Sequence, residues 1–89
     1  MIDIALSNNS CIFDSAQFDS AQEALDWMLG RGGIYVAQIS SENPVENWDF
    51  RNWSIDNDKE TISEYDGWDW NVLSHSEIMA ALETLNKAH

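Results

Sequence analysis

Cys11 and His75 could form a nucleophile and its base. A thiolate beside an imidazole is the reactive pair of many hydrolases, in which the imidazole accepts the proton. Nothing else in the sequence supports this pair, and an isolated cysteine is commonly a small buried hydrophobe. His75 also fits the first turn of a helix. We therefore predict no catalytic residues and no enzyme, with a small enzyme kept as an alternative hypothesis.

Acidic side chains alternate between residues 56 and 60, as they do at the start of a calcium-binding loop. The EF-hand loop requires glycine at its sixth position and glutamate at its twelfth. Thr61 and Gly67 occupy those positions, and His75 and His89 do not have the spacing of a zinc-binding pair. We predict a solvated turn, no metal ligand and no cofactor, with a small metal-binding module as an alternative hypothesis.

The acidic residues are concentrated between Glu42 and Asp69. This segment of 28 residues contains nine acids and two bases, a formal charge of −7, together with four of the five tryptophans. The whole chain has 16 acidic and 4 basic residues, so its net charge is −12 at pH 7. More than half of the net charge therefore lies in less than a third of the chain. The nine acids are Glu42, Glu46, Asp49, Asp56, Asp58, Glu60, Glu64, Asp66 and Asp69.

Carboxylates in this segment could form an anionic surface. On one face of a strand they lie about 6.6 to 6.8 Å apart, and neighbouring strands lie about 4.8 Å apart, which is the coarse spacing of a phosphate backbone. A protein surface that holds nucleic acid with lysine and arginine would attract such a face. The predicted partner-binding residues are the nine acids, led by the six from Asp56 to Asp69, with Trp53 as an apolar anchor.

Structural explanations of the same residues stay open. Acidic residues flank the turns of any soluble sheet, and net negative charge favours solubility. The tryptophans can form the core of a small domain, and we expect at least Trp68 and Trp70 to face the helices. The sequence alone leaves open the choice between an interaction surface and a solvated surface.

Hydrophobic patterns place these residues in one α+β domain, residues 1–89, with elements in the order β(β)αββββα. Strands are predicted at 2–6, 11–13, 34–39, 48–56, 60–65 and 68–72, and a loop at 40–47. The sheet should be mostly antiparallel, with both helices on one of its faces. Asp66-Gly67 is typical of a two-residue hairpin turn.

Each predicted helix begins with a capping box, in which a serine and a glutamate three residues later each satisfy a backbone N–H. Ser20 with Glu23 begins the first helix, and Ser74 with Glu77 begins the second. The second copy of a repeated Asp-Ser-Ala-Gln sequence supplies the first of these caps. Apolar residues at helical spacing follow both caps; they are Ala21, Ala24, Leu25, Met28 and Leu29, then Ile78, Ala81, Leu82 and Leu85.

The composition argues against several classes of protein. Of the 89 residues, 44% are hydrophobic and 11% aromatic, too many for a disordered acidic tail. Four basic residues are too few for direct contact with nucleic acid. The apolar runs are far shorter than a membrane span, and the sequence has no recognisable signal peptide. With a single cysteine, a cytoplasmic protein is expected.

In size, single-domain make-up, charge balance and its tryptophan-bearing acidic segment, the chain resembles the small acidic inhibitors that phages encode against bacterial defence. These are the anti-CRISPR proteins and the antirestriction DNA mimics. They share no fold, so no site residues can be carried over. The resemblance implies a stoichiometric inhibitor that occludes a basic DNA-binding or PAM-reading surface of a CRISPR surveillance complex or another nucleic-acid-binding protein. An immunity protein that covers the active site of a toxin nuclease is an alternative.

Overall fold

Six strands and two helices follow one another in the predicted order in a computed structural model, which describes residues 1–41 and 50–87. The predicted α+β class is confirmed. Most of the predicted loop at 40–47, and the start of the strand predicted from Trp48, lie outside the described residues. The elements are β1 (Ile2–Asn8), β2 (Cys11–Phe18), α1 (Ala21–Leu29), β3 (Ile34–Ser41), β4 (Phe50–Asp56), β5 (Thr61–Tyr65), β6 (Trp70–Val72) and α2 (His75–Lys87).

The strands form one sheet in the order β2-β1-β3-β4-β5-β6, and each neighbouring pair is antiparallel. Asn9 and Ser10 join β1 to β2 with positive φ angles of 52° and 67°, as in the tight turns that suit the twist of a hairpin. β2 and β3 both lie antiparallel to β1 and are therefore parallel to each other. α1 connects them by crossing over β1.

One face of the sheet and both helices form the core, as predicted. Alternate residues of the strands point to this face because successive side chains of a strand lie on opposite sides. The hydroxyl of Tyr35 donates a hydrogen bond to the Met28 carbonyl and so joins β3 to α1 within the core. Buried apolar side chains come from four strands and both helices: Ile2, Ile4, Leu6, Tyr35, Ala37, Ile39, Trp53, Ile55, Ile62, Ala21, Ala24, Leu25, Met28, Ile78, Ala81, Leu82 and Leu85.

Both helices begin with the predicted serine cap, and the reciprocal capping box is complete at α2. The Glu23 backbone N–H donates to Ser20 Oγ at 3.4 Å at the start of α1. At the start of α2 the bonds are reciprocal, because the Glu77 N–H donates to Ser74 Oγ at 3.2 Å and the Ser74 N–H donates to Glu77 Oε1 at 2.9 Å. These bonds satisfy backbone donors that have no partner within the helix.

The repeated Asp-Ser-Ala-Gln sequence adopts two conformations. Residues 14–17 extend β2 well beyond the predicted end at Phe13, and their partners on β1 include Ala5 opposite Ser15. Residues 19–22 cap and begin α1. After the first copy, Phe18 ends β2 and packs on Trp27 of α1, whereas after the second copy the Glu23 backbone N–H donates to Ser20 in the first turn of α1.

The prediction of a two-residue turn at Asp66-Gly67 is wrong. Tyr65 pairs with Trp70, so the turn contains the four residues 66–69. The turn is longer because the Asp66 carboxylate accepts hydrogen bonds from the backbone N–H groups of Trp68 and Asp69, both at 2.8 Å. This register decides which face of the sheet the β6 side chains occupy.

The side of the sheet that neither α1 nor α2 covers is called here the open face. One row of it crosses all six strands through the cross-strand partners Ile12, Ser7, Val36, Ser54, Ser63 and Val72. Apolar residues occupy both ends of this row, and small hydroxyl side chains occupy most of its middle. Among the described residues, no helix is both long and apolar enough to cross a membrane.

Candidate interaction surface

The predicted acidic residues occupy two separate turns. Asp56, Asp58 and Glu60 lie at or after the end of β4, whereas Asp66 and Asp69 lie after β5. Because β5 runs from one turn to the other, the turns lie at opposite ends of the sheet, about 20 Å apart for an extended segment of six residues. The acids therefore form two clusters, one at each end of the open face.

The turn between β4 and β5 is organised by a carboxylate that the sequence predicts as a binding residue. Asp56 Oδ1 accepts hydrogen bonds from the backbone N–H groups of Asp58 at 3.0 Å and Lys59 at 3.1 Å. The backbone N–H and the side-chain amide of Asn57 both donate to the Gly33 carbonyl, at 3.0 and 3.2 Å. Asp56 is therefore engaged within the turn, and Asp58 and Glu60 are its exposed carboxylates.

Asp66 organises the second turn in the same way. Besides the two backbone donors already described, the Asn71 side-chain amide donates to Asp66 Oδ2 at 2.8 Å, and the Asp66 N–H donates to the Asp69 carbonyl at 3.1 Å. Hydrogen bonds from the Asp69 backbone, the Asn71 amide and the Trp68 backbone hold the pKa of Asp66 below its ordinary value, because they stabilise the carboxylate. Asp69 is exposed beside it.

Trp68 and Trp70 do not face the helices, so that prediction is wrong. Trp68 lies in the turn with 89% of its surface exposed, and Trp70 is 48% exposed. Trp70 pairs with Tyr65, whose neighbour Ser63 belongs to the open face, and the Tyr65 and Trp70 rings pack with centroids 5.3 Å apart. The Tyr65 hydroxyl also donates to the Gly67 carbonyl at 3.1 Å. The turn thus presents a group of three aromatic side chains, of which Tyr65 and Trp70 are packed together.

The prediction that Trp53 is an exposed anchor is wrong, because its side chain is 0% exposed. It lies opposite Ala37 and Glu64 on the helix side of the sheet. Glu64 Oε1 accepts hydrogen bonds from Trp53 Nε1 at 3.1 Å and from Arg51 Nη1 at 2.8 Å. Glu64 therefore anchors a core indole and an ion pair, and it does not lie on the open face.

A cleft of about 300 Å³ lies between α2 and the Arg51–Glu64 pair. It exists because α2 presents Ala80, Ala81 and Thr84 at this position, where larger side chains would fill the space. The Thr84 hydroxyl donates to the Ala80 carbonyl at 2.8 Å, and the Glu77 carboxylate accepts the capping bond. The polar groups of this cleft are thus engaged in bonds that stabilise the fold.

The other chemical candidates are not assembled into a site. Cys11 is exposed at the start of β2, one edge of the sheet, and His75 begins α2 shortly after β6, the opposite edge. Residues 1–41 and 50–87 contain no group of three His, Cys, Asp or Glu side chains that could hold a metal ion. The predicted binding residues Glu42, Glu46 and Asp49 lie outside the described residues.

Searches of protein-family models, curated proteins and solved structures found no match to this chain. The candidate interaction surface consists of two groups of exposed carboxylates and the aromatic group at the β5–β6 turn. Sequence reasoning expected the carboxylates and missed the aromatic group, because the face of β6 depends on the length of the turn before it.

Proposed function

We propose that this protein is a stoichiometric inhibitor that occludes a basic nucleic-acid-binding surface of a bacterial defence complex, acting in the cytoplasm of the host cell. The proposal agrees with the resemblance to small acidic phage-encoded inhibitors. The observation that carries it is a sheet face that neither α1 nor α2 covers, with exposed carboxylates at both ends and exposed aromatic rings at one end. Carboxylates attract a cationic surface, and the aromatic rings add apolar contact area.

The charge of the protein supports a basic partner. Two of the four basic side chains are already paired, Arg31 with Asp14 at 2.7 Å and Arg51 with Glu64 at 2.8 Å. Both pairs lie on the helix side of the sheet. Lys59 lies within the first turn and offsets one of its three carboxylates, so each turn keeps a formal charge of −2. Such a field raises the association rate with a positively charged surface.

The spacing of the two acidic turns supports a nucleic-acid-binding partner. DNA carries one phosphate per strand for each 3.4 Å of its axis, so a separation of about 20 Å corresponds to roughly six base pairs. Cations arranged to hold a duplex over that length would meet the Asp58 and Glu60 carboxylates at one end of the open face. The Asp69 carboxylate would lie near their other end.

The aromatic group supports a stable contact. Trp68 lies on a turn whose backbone several hydrogen bonds hold in one conformation, so little backbone entropy is lost when a partner covers it. Exposed tryptophans are the side chains that most often dominate interface energies. Trp68 is the most exposed large apolar side chain among the described residues.

The test begins with capture of the target from a host lysate, followed by binding measurements on the purified target with and without competing duplex DNA. Wild-type binding should weaken with added salt, because surface charge attraction is screened, and DNA should displace the protein. Equal affinity for the target with and without saturating DNA would contradict the proposed mode of inhibition.

Charge reversal locates the surface. The double substitution Asp58→Lys with Glu60→Lys leaves the Asp56 hydrogen bonds in place and should weaken target binding by about tenfold or more at low salt. The matched control is Asp26→Lys with Glu83→Lys, which makes the same change in net charge on the exposed sides of α1 and α2. Equal losses in both variants would indicate a general charge effect and would contradict the proposed surface.

A further inference from the structure

β2 is an edge strand of eight residues, and nothing in residues 1–41 and 50–87 pairs with its outer side. An open edge presents unpaired backbone donors and acceptors, which can bind another strand. The other edge of the sheet is different. β6 has only three residues and lies between the acidic turn at 66–69 and α2. The long edge is therefore the side on which the sheet can be extended.

The β2 edge has little charge for a protein this acidic. Its only charged side chain is Asp14, which pairs with Arg31 at 2.7 Å and also accepts the Ser15 N–H at 2.8 Å. On pairing with another strand, the Ser15 N–H would exchange this bond for one to a carbonyl of the partner strand. The two acidic turns lie elsewhere in the sheet, after β4 and β5. Charges more than about 8 Å apart are largely screened at physiological ionic strength, so two copies can approach along this edge.

A β-bulge in β2 limits the residues through which this strand can pair with another strand at its outer side. Leu6 pairs with Asp14 and Ser7 pairs with Ile12, so Phe13 is the extra residue and the regular part of the edge is 14–18. An antiparallel pairing that uses all five residues has its two-fold axis at Ala16. It places Asp14 opposite Phe18 and Ser15 opposite Gln17, and it brings no two carboxylates face to face.

We propose that β2 pairs with β2 of a second copy of this chain about a two-fold axis at Ala16, so that the two six-stranded sheets become one. The small side chain of Ala16 suits the axis, where the two copies approach most closely. This interface uses the opposite edge of the sheet from the aromatic turn. It is therefore independent of the inhibitor proposal.

Sedimentation velocity of the full chain tests the proposal over protein concentrations from about 10 µM to 1 mM, because a contact of five residues per strand should give a weak dimer. The 10.1 kDa monomer should be joined by a species of twice that mass. The dimer should strengthen with added salt because both copies are acidic. Target binding is expected to respond to salt in the opposite direction, which separates the two proposals.

Two double substitutions test the register. Ser15→Lys with Gln17→Lys places like charges opposite one another twice, whereas Ser15→Lys with Gln17→Glu places opposite charges there twice. The second variant should dimerise at least about tenfold more strongly than the first. If net charge alone decided dimerisation, the first variant would dimerise more strongly, because it is less acidic than the second. Both positions are exposed, so folding should be preserved.

Amide hydrogen exchange of the wild-type protein gives a check that needs no substitution. Raising the protein concentration should slow exchange in β2 and leave β6 unchanged. A purely monomeric protein at every concentration and salt would overturn the proposal. Equal dimer dissociation constants for the two double variants would also overturn it, since another surface would then form the contact.

Discussion

The Glu64 carboxylate accepts a hydrogen bond from the indole nitrogen of Trp53 at 3.1 Å, beneath α2 and away from the open face. Both residues are expected from the sequence on an interaction surface, and the structure gives them a role in the core. This hydrogen bond explains why the Glu64 side chain is only 27% exposed. It also separates the acids that stabilise the fold from those available to a partner.

We expect the two kinds of tryptophan to differ in their effect on stability. Trp53→Ala should reduce the free energy of unfolding by about 3 to 5 kcal/mol, because it leaves a cavity in the core. Trp68→Ala should change it by less than about 0.5 kcal/mol, because its indole is exposed. Urea unfolding followed by circular dichroism measures both. Similar losses for the two variants would contradict the assignment of Trp53 to the core.

Glu64 should stabilise the protein more through the indole than through the ion pair. Glu64→Gln keeps an acceptor for Trp53 Nε1 and should cost less than about 1 kcal/mol, since the Arg51 pair is partly exposed. Glu64→Ala leaves a buried N–H without a partner and should cost about 1 to 3 kcal/mol. Equal effects of the two substitutions on urea unfolding would show that the indole bond contributes nothing.

Asp66 should make stability depend on pH in the acid range. Hydrogen bonds lower its pKa in the folded chain, so the unfolded chain binds the proton at a higher pH. This contribution is complete above the ordinary pKa of an aspartate, near 4, and is lost as the pH falls through the lowered value. Asp66→Asn should therefore be less stable than wild type at pH 7, with a smaller difference at pH 3. The same stability difference between Asp66→Asn and wild type at both pH values would contradict the role assigned to the Asp66 carboxylate.

Arg31 should hold the β2 edge to α1. Its guanidinium lies 4.9 Å from the centre of the Trp27 ring and 5.8 Å from that of Phe13, and it pairs with Asp14. Arg31→Ala should cost about 1 to 2 kcal/mol from the lost ring and carboxylate contacts. Arg31→Lys should recover only part of this, because an ammonium cannot stack as a planar guanidinium does. If Arg31→Lys were as stable as wild type, the positive charge alone would account for the contribution of Arg31 to stability.

The order of the elements can be predicted from the sequence because each element has its own local pattern. The capping boxes at Ser20 and Ser74 mark the helix starts. Alternation of apolar residues marks β1, and a run rich in β-branched and aromatic residues marks β3. Side-chain facing is harder, because Trp53 and Trp70 both alternate with polar neighbours. What distinguishes them is the cross-strand register, which depends here on a four-residue turn closed by the Asp66 side chain.

The candidate surface could be predicted only as far as charge allows. An abundance of acids is visible in the sequence, but whether a carboxylate is free depends on what folds against it. Asp56 and Asp66 are engaged by backbone N–H groups of their own turns, and Glu64 is engaged by side chains on β4. Asp66 remains exposed despite these bonds, and Asp58, Glu60 and Asp69 are exposed beside the two engaged carboxylates.

The sheet order has a consequence for folding kinetics. The β1–β2 hairpin and the β4–β6 meander are built from neighbouring segments, whereas β1 and β3 join residues 29 to 39 positions apart. Closing that longer loop should be the slow step, because its entropy is lost before the contacts form. Ile4→Val in β1 should then slow refolding, and Ile62→Val in β5 should mainly accelerate unfolding, as stopped-flow measurements would show.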